Sequence, residues 1–113
     1  GQEALENWIQ NDPGLPQAKK SFFHQLMWAD YLPGDLIDGL LEKYQEMVSD
    51  KLFLVRVQAD RKPNIPTRTD REGFLWDRIY KNWIDQYEME VAWTRQLRKD
   101  LKDLEAGRIR IKN

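Results

Sequence analysis

One histidine and no cysteine limit what this chain can do chemically. With His24 alone, neither an HExxH helix nor a Cys/His zinc set can be assembled. A di-iron bundle needs Glu-x-x-His twice, and the residue three before His24 is Ser21. A Ser-His-Asp triad would have to draw His24 from among Phe22, Phe23 and Leu26, where a hydrogen-bonded core or surface histidine is the plainer role. The glycines fall singly, so no GxGxxG or GxxxxGK[ST] phosphate loop forms. Asp35/Asp38 and Asp100/Asp103 lie one helical turn apart and could flank a metal. Nothing near them in sequence would desolvate them, so a solvated face is expected. The basic residues from Arg95 to Lys112 interleave with Asp100, Asp103 and Glu105. That reads as a salt-bridged helix face rather than a phosphate-binding strip. These residues point away from an enzyme, a metal site and a resident cofactor. What remains is aromatic. Trp76, Tyr80, Trp83 and Tyr87, with Trp28 and Trp93 as candidate neighbours, could wall an apolar pocket with a few polar tips. Flat aromatic ligands are held in that way. A plain aromatic core or dimer interface is the simpler reading of the same residues.

The element that must position them runs from Thr69 to about Ala106. Thr69-Asp70-Arg71-Glu72 has the form of a capping box, in which the Thr hydroxyl accepts from the Glu72 N–H and the Glu72 carboxylate reaches back. No Pro follows, and no Gly interrupts between Gly73 and Gly107. Thirty-odd helical residues span roughly 50 Å. A compact domain of this length, with a radius of gyration of about 13 Å, is only about 35 Å across. Part of the helix is therefore expected to project from its own domain. Trp76, Tyr80, Trp83 and Tyr87, then Thr94, Leu97, Leu101 and Leu104, form an a/d-like seam with Glu90 as its one charged interruption. A second stripe, Leu75, Ile79, Ile84 and Val91, makes the first half apolar over a wide arc. The second half narrows to Leu97, Leu101 and Leu104 among charges of both signs, a pattern suited to pairing with a second chain. The seam is thus assigned to a homodimer interface, with packing on the chain's own helices as the alternative.

Upstream, Leu5, Trp8 and Ile9 mark a short helix over 1–10, and Asn11-Asp12-Pro13-Gly14 a turn. A second helix is expected over 16–31, with Phe22, Phe23, Leu26 and Met27 inward. A third covers 33–60 on the stripe Ile37, Leu41, Tyr44, Val48, Leu52 and Val55. Leu52 to Val57 is strand-like by residue type, but no turn signal precedes it and no second strand is available, so it is assigned to the helix. Two Pro residues three apart make 61–68 a loop. The architecture is therefore all-α, about four helices ending in a long one, in a single domain over 1–113. Charged residues at 33% and hydrophobic ones at 41% fit a folded chain rather than a disordered one. A net charge of −1 leaves no overall electrostatic footprint for nucleic acid. No apolar run approaches the roughly eighteen residues of a membrane span, no signal peptide opens the chain, and the lack of Cys suits a reducing cytosol.

Gly1-x-x-Ala4-Leu5-x-x-Trp8-Ile9, then Phe22-Phe23-x-x-Leu26, then Leu32-Pro33 before the amphipathic Asp35 to Glu46 stretch, resemble the C-terminal region of PadR-type regulators. The last helix, with Glu90 and Trp93 ahead of Leu97 and Leu101, is similar to that family's last helix. The resemblance covers about residues 1–105 and matches the longer-tailed branch, whose helical domain is shared with AphA-like virulence activators. It implies a cytoplasmic transcription regulator whose winged helix reads DNA and whose C-terminal helices form an intertwined homodimer. It also implies a candidate small aromatic or phenolic effector. The chain begins where such a winged helix would end, so an N-terminal winged helix is expected upstream of Gly1, and no DNA-contact residue is assigned to this chain. The loop over 61–68 and the extra aromatics depart from the family pattern. A stand-alone helical interaction module is the alternative. A small all-helical enzyme of the chorismate-mutase kind, working through Arg and Gln, is the third reading.

Overall fold

The computed structural model describes residues 14–61 and 66–109. Within them the chain is all-helical: α1 is Gly14–Met27, α2 is Gly34–Arg61 and α3 is Asp70–Glu105. The helix expected over 1–10 lies outside the described residues. α1 ends earlier than its expected limit of 31. The Ala29 N–H donates to the Leu26 carbonyl (3.1 Å) and the Leu32 N–H to the Ala29 carbonyl (2.9 Å). These two tight turns lead into Pro33, before which the α region is disfavoured. The Pro33 carbonyl then accepts from the Leu36 and Ile37 N–H groups and starts α2. The strand-like stretch Leu52 to Val57 is helical, because Leu52 and Val55 continue the buried stripe of Leu41, Tyr44 and Val48.

α3 is closed at both ends by its own sequence. The Thr69 hydroxyl accepts from the Glu72 N–H at 3.1 Å. The Glu72 carboxylate reaches back one residue further than a capping box requires, to the Arg68 N–H at 3.1 Å and the Arg68 side chain at 3.0 Å. At the other end Gly107 has φ of 76°. The Gly107 N–H donates to the Leu104 carbonyl and the Arg108 N–H to the Asp103 carbonyl. This is a Schellman stop, which uses the left-handed conformation that glycine adopts without a Cβ penalty.

α2 and α3 form an antiparallel hairpin, since Asp38 meets Arg98 and Tyr44 meets Glu90. Its core is Leu41, Tyr44, Val48, Leu52 and Val55 from α2 against Tyr80, Tyr87 and Val91 from α3, with Phe22 of α1 laid on one side. Burying each such side chain fully contributes about 1.5–3 kcal/mol. The molecule is a rod of 57 × 24 × 22 Å with a radius of gyration of 18.0 Å. The excess length of α3 is therefore taken up by shape. α2, 28 residues long, lies alongside the 36-residue α3, which does not emerge as a bare arm from a compact domain. No described helix is long and apolar enough to cross a membrane.

Candidate functional site: a buried carboxylate and two exposed apolar ends

Where α1 crosses the groove between α2 and α3, three helices meet on one carboxylate. Glu90 is 1% exposed. The Tyr44 hydroxyl donates to Glu90 Oε1 at 2.8 Å, and Lys19 Nζ lies 3.2 Å from Oε2. The Thr94 hydroxyl, one turn on, donates to the Glu90 backbone carbonyl at 2.8 Å. Burial pushes the Tyr44 phenol well above its ordinary range, and the hydrogen bond to Glu90 and the Glu90 charge push it further. Phe22 stacks on Tyr44 with centroids 4.0 Å apart and planes within 8°. The Lys19 ammonium also lies 5.6 Å from the Phe23 ring centroid. Both carboxylate oxygens are engaged, so the arrangement ties α1 to the hairpin. A buried carboxylate held by one partner from α1 and one from α2 also favours a single register of the helices. In sequence, Glu90 showed only as a charge on an apolar stripe. The signal that could have found its partner was Tyr44, the lone hydroxyl on the facing stripe of α2.

A second polar tie sits nearer the open end of the hairpin. Arg98 donates to both oxygens of Asp38 at 2.9 and 3.0 Å, and to the Gln45 side-chain carbonyl at 3.2 Å. The hydrogen bonds from Arg98 hold the Asp38 carboxyl below its usual range, against the opposing effect of burial. This places Asp38 in a structural pair with α3 and apart from Asp35. Among the described residues no group of three or more His, Asp or Glu side chains could hold a metal ion. His24 is exposed on α1, beside Lys20 and Met27 in a shallow open groove.

The seam residues face inward. Tyr80, Tyr87 and Thr94 are buried, and Trp76, Trp83, Leu97 and Leu101 are half-buried against the chain's own core. Leu104 is the exposed member. The a/d-like spacing is satisfied by α2 of the same chain, which offers a facing stripe of matching length. The six aromatics are not brought to one pocket. Trp76, Tyr80 and Trp83 form a row with centroid separations of 6.1 and 5.7 Å. Tyr87 is in the core, Trp93 packs on Phe23 at 5.3 Å, and Trp28 is exposed past the end of α1. Within the row, the Tyr80 hydroxyl is buried without a hydrogen-bond partner.

Periodicity marks only some of the side chains that stay uncovered: Leu75, Ile79 and Leu104 on α3, and Met27, expected inward on α1 but exposed. Thirteen large hydrophobic side chains among the described residues are exposed, and most of them gather at the two ends of the rod. Phe53, Leu54, Phe74, Leu75 and Ile79 lie at the hairpin end. Met27, Trp28, Tyr31 and Leu36 lie at the α1–α2 corner. Clusters of exposed apolar side chains are candidate interaction surfaces. No protein-family model, curated protein or solved structure matches this chain.

Proposed function

We propose that this chain is the helical dimerisation domain of a PadR-like transcription regulator, acting in the cytoplasm as a homodimer. The observation that carries the reading is the exposed apolar surface at both ends of a rod that otherwise has its own closed core. A rod with two sticky ends suits a spacer that holds two winged helices at a fixed separation on DNA half-sites. The order of motifs from Trp8 through Phe22-Phe23, Leu32-Pro33 and Glu90-x-x-Trp93 supplies the family. DNA would be contacted only through a winged helix upstream of Gly1.

A small aromatic or phenolic effector would act at the Trp76, Tyr80 and Trp83 row. The unpartnered Tyr80 hydroxyl is a donor with nothing to donate to, and a ligand carrying an acceptor would satisfy it. Such a ligand shifts the dimer only through different affinities for two arrangements. Tryptophan fluorescence titrated with phenolic acids tests this, and Tyr80→Phe should weaken the response. A flat titration removes the phenolic class. The regulator reading itself is tested by the coding sequence ahead of Gly1, which should encode about seventy residues of winged helix. A start codon in that place overturns it and leaves the stand-alone interaction module, which the same exposed surface also supports.

A further inference from the structure

α1 is the least secured of the three helices. The hairpin core runs from Leu41 to Val55 on α2 and from Tyr80 to Val91 on α3. From Pro16 to Met27, Phe22 alone is buried, while Lys19, Phe23 and Leu26 are half-buried. The ties that hold α1 down are Lys19 on Glu90, Phe22 on Tyr44 and Phe23 on Trp93. They all fall within two turns of the helix.

The two sides of the corner that joins α1 to α2 differ. On the α2 side, the Glu105 carboxylate fills the space that a Cβ on Gly34 would need. Arg98 grips Asp38 one turn further on, so the start of α2 is fixed to the end of α3. On the α1 side, Met27, Trp28 and Tyr31 are exposed, and of residues 28–33 only Ala29 is buried. Two backbone hydrogen bonds shape this corner, and Pro33 has no N–H to add a third. The chain can therefore turn about residues 28–33 without disturbing α2.

We propose that α1 is a strap: it swings away from the α2–α3 hairpin about residues 28–33 as one unit, short of global unfolding, and bares the groove at Tyr44 and Glu90. A helix of 14 residues is marginal in water by itself, so α1 melts once it leaves. Opening frees the Glu90 carboxylate from Lys19 and the Tyr44 ring from Phe22, while Tyr44 and Glu90 keep their own hydrogen bond. A ligand or helix that brings a cation and an apolar plane to these two groups competes with α1 and shifts the chain to the open form. α1 is in this sense the chain's own occupant of the groove. The strap belongs to the single chain and does not depend on the regulator reading.

Native-state amide exchange of the full chain in low urea reads the opening. The α1 amides should share one opening free energy and one urea slope. Both should be smaller than those of the slowest amides in α2 and α3, because less surface is exposed. Val55→Ala separates local from global opening. Val55 is 1% exposed and lies eleven residues along α2 from Tyr44, about 16 Å away. Losing its two methyl groups weakens the closed and the strap-open forms alike. The slow α2 and α3 amides should then exchange on the order of tenfold faster, with the α1 amides unchanged. α1 amides that speed up by the same factor, or that match the α2 and α3 slope in the unmodified chain, overturn the strap. So do α1 amides that exchange one by one without urea dependence, which is fraying rather than opening as a unit. If Val55→Ala does not fold, the urea slopes of the unmodified chain decide alone.

Discussion

Removing the Glu90 carboxylate should unfasten α1 and cost more than its side-chain volume explains. Leu in place of Glu90 keeps roughly the same bulk, so little cavity energy enters. The loss is the acceptor for Tyr44, whose hydroxyl is left buried and unpaired at a cost of about 1–3 kcal/mol. Lys19 is one-third exposed and can turn its ammonium to water, so its release adds little. Glu90→Leu is therefore expected to lower stability by about 2–3 kcal/mol. Tyr44→Phe alone leaves one oxygen of a 1%-exposed carboxylate unpaired and should cost about 1.5–3 kcal/mol. Lys19→Met strands the charge with one neutral donor and should be the most costly single change, about 3 kcal/mol or more. The double variant Tyr44→Phe/Glu90→Leu removes donor and acceptor together, so its loss should fall about 2 kcal/mol short of the sum of the singles. Adding Lys19→Met to that pair should bring stability near or above the starting value, because an apolar replacement avoids the desolvation of the ion pair. Urea unfolding followed by circular dichroism, at one protein concentration, gives each difference. Additivity within about 0.5 kcal/mol would refute the coupling, and a Glu90→Leu chain as stable as the parent would refute the tie altogether.

The two shifted phenols make stability fall in alkali. The Tyr44 phenol, and by burial alone that of Tyr80, are raised in the folded chain. Their contribution is full below the unfolded value near pH 10 and is lost as pH rises toward the folded value, so the urea midpoint should drop above about pH 10 and drop less in Tyr44→Phe. The Asp38 carboxyl is lowered, chiefly by hydrogen bonds from Arg98, so its contribution is present above about pH 4 and is lost as pH falls through the lowered value. Asp38→Asn should flatten the acid limb of the stability profile in a pH series of urea melts. Gly39 sits inside α2 with nothing within 4 Å of where a Cβ would be, so Gly39→Ala should raise stability by about 1 kcal/mol in the same assay. An unchanged or lowered midpoint there would show that the glycine is needed for an approach that a single chain does not reveal.

Local features were legible in the sequence because their causes are local. The Thr69 cap, the Gly107 stop and the apolar stripes of α2 and α3 each follow from residues within a turn or two of one another. What periodicity does not carry is the identity of the facing helix. A seam at 4-3-4 spacing buries itself equally well against α2 of its own chain or a helix of another. Once α2 takes the seam, Leu97 and Leu101 are half-buried within the chain and Tyr87 is in its core. Any surface left for a partner must then be built from residues that the seam excludes.

That constraint turns attention to the stretch Leu52-Phe53-Leu54-Val55-Arg56-Val57. Its strand-like composition looked like a question of secondary structure, but it is helical, with Leu52 and Val55 buried and Phe53 and Leu54 exposed. A helix that is apolar on several sides is a helix covered on several sides. Phe74, Leu75 and Ile79 present the same excess on α3 across from it. On a solvated rod these side chains add nothing to the core and invite association. They make physical sense when a second surface closes over them.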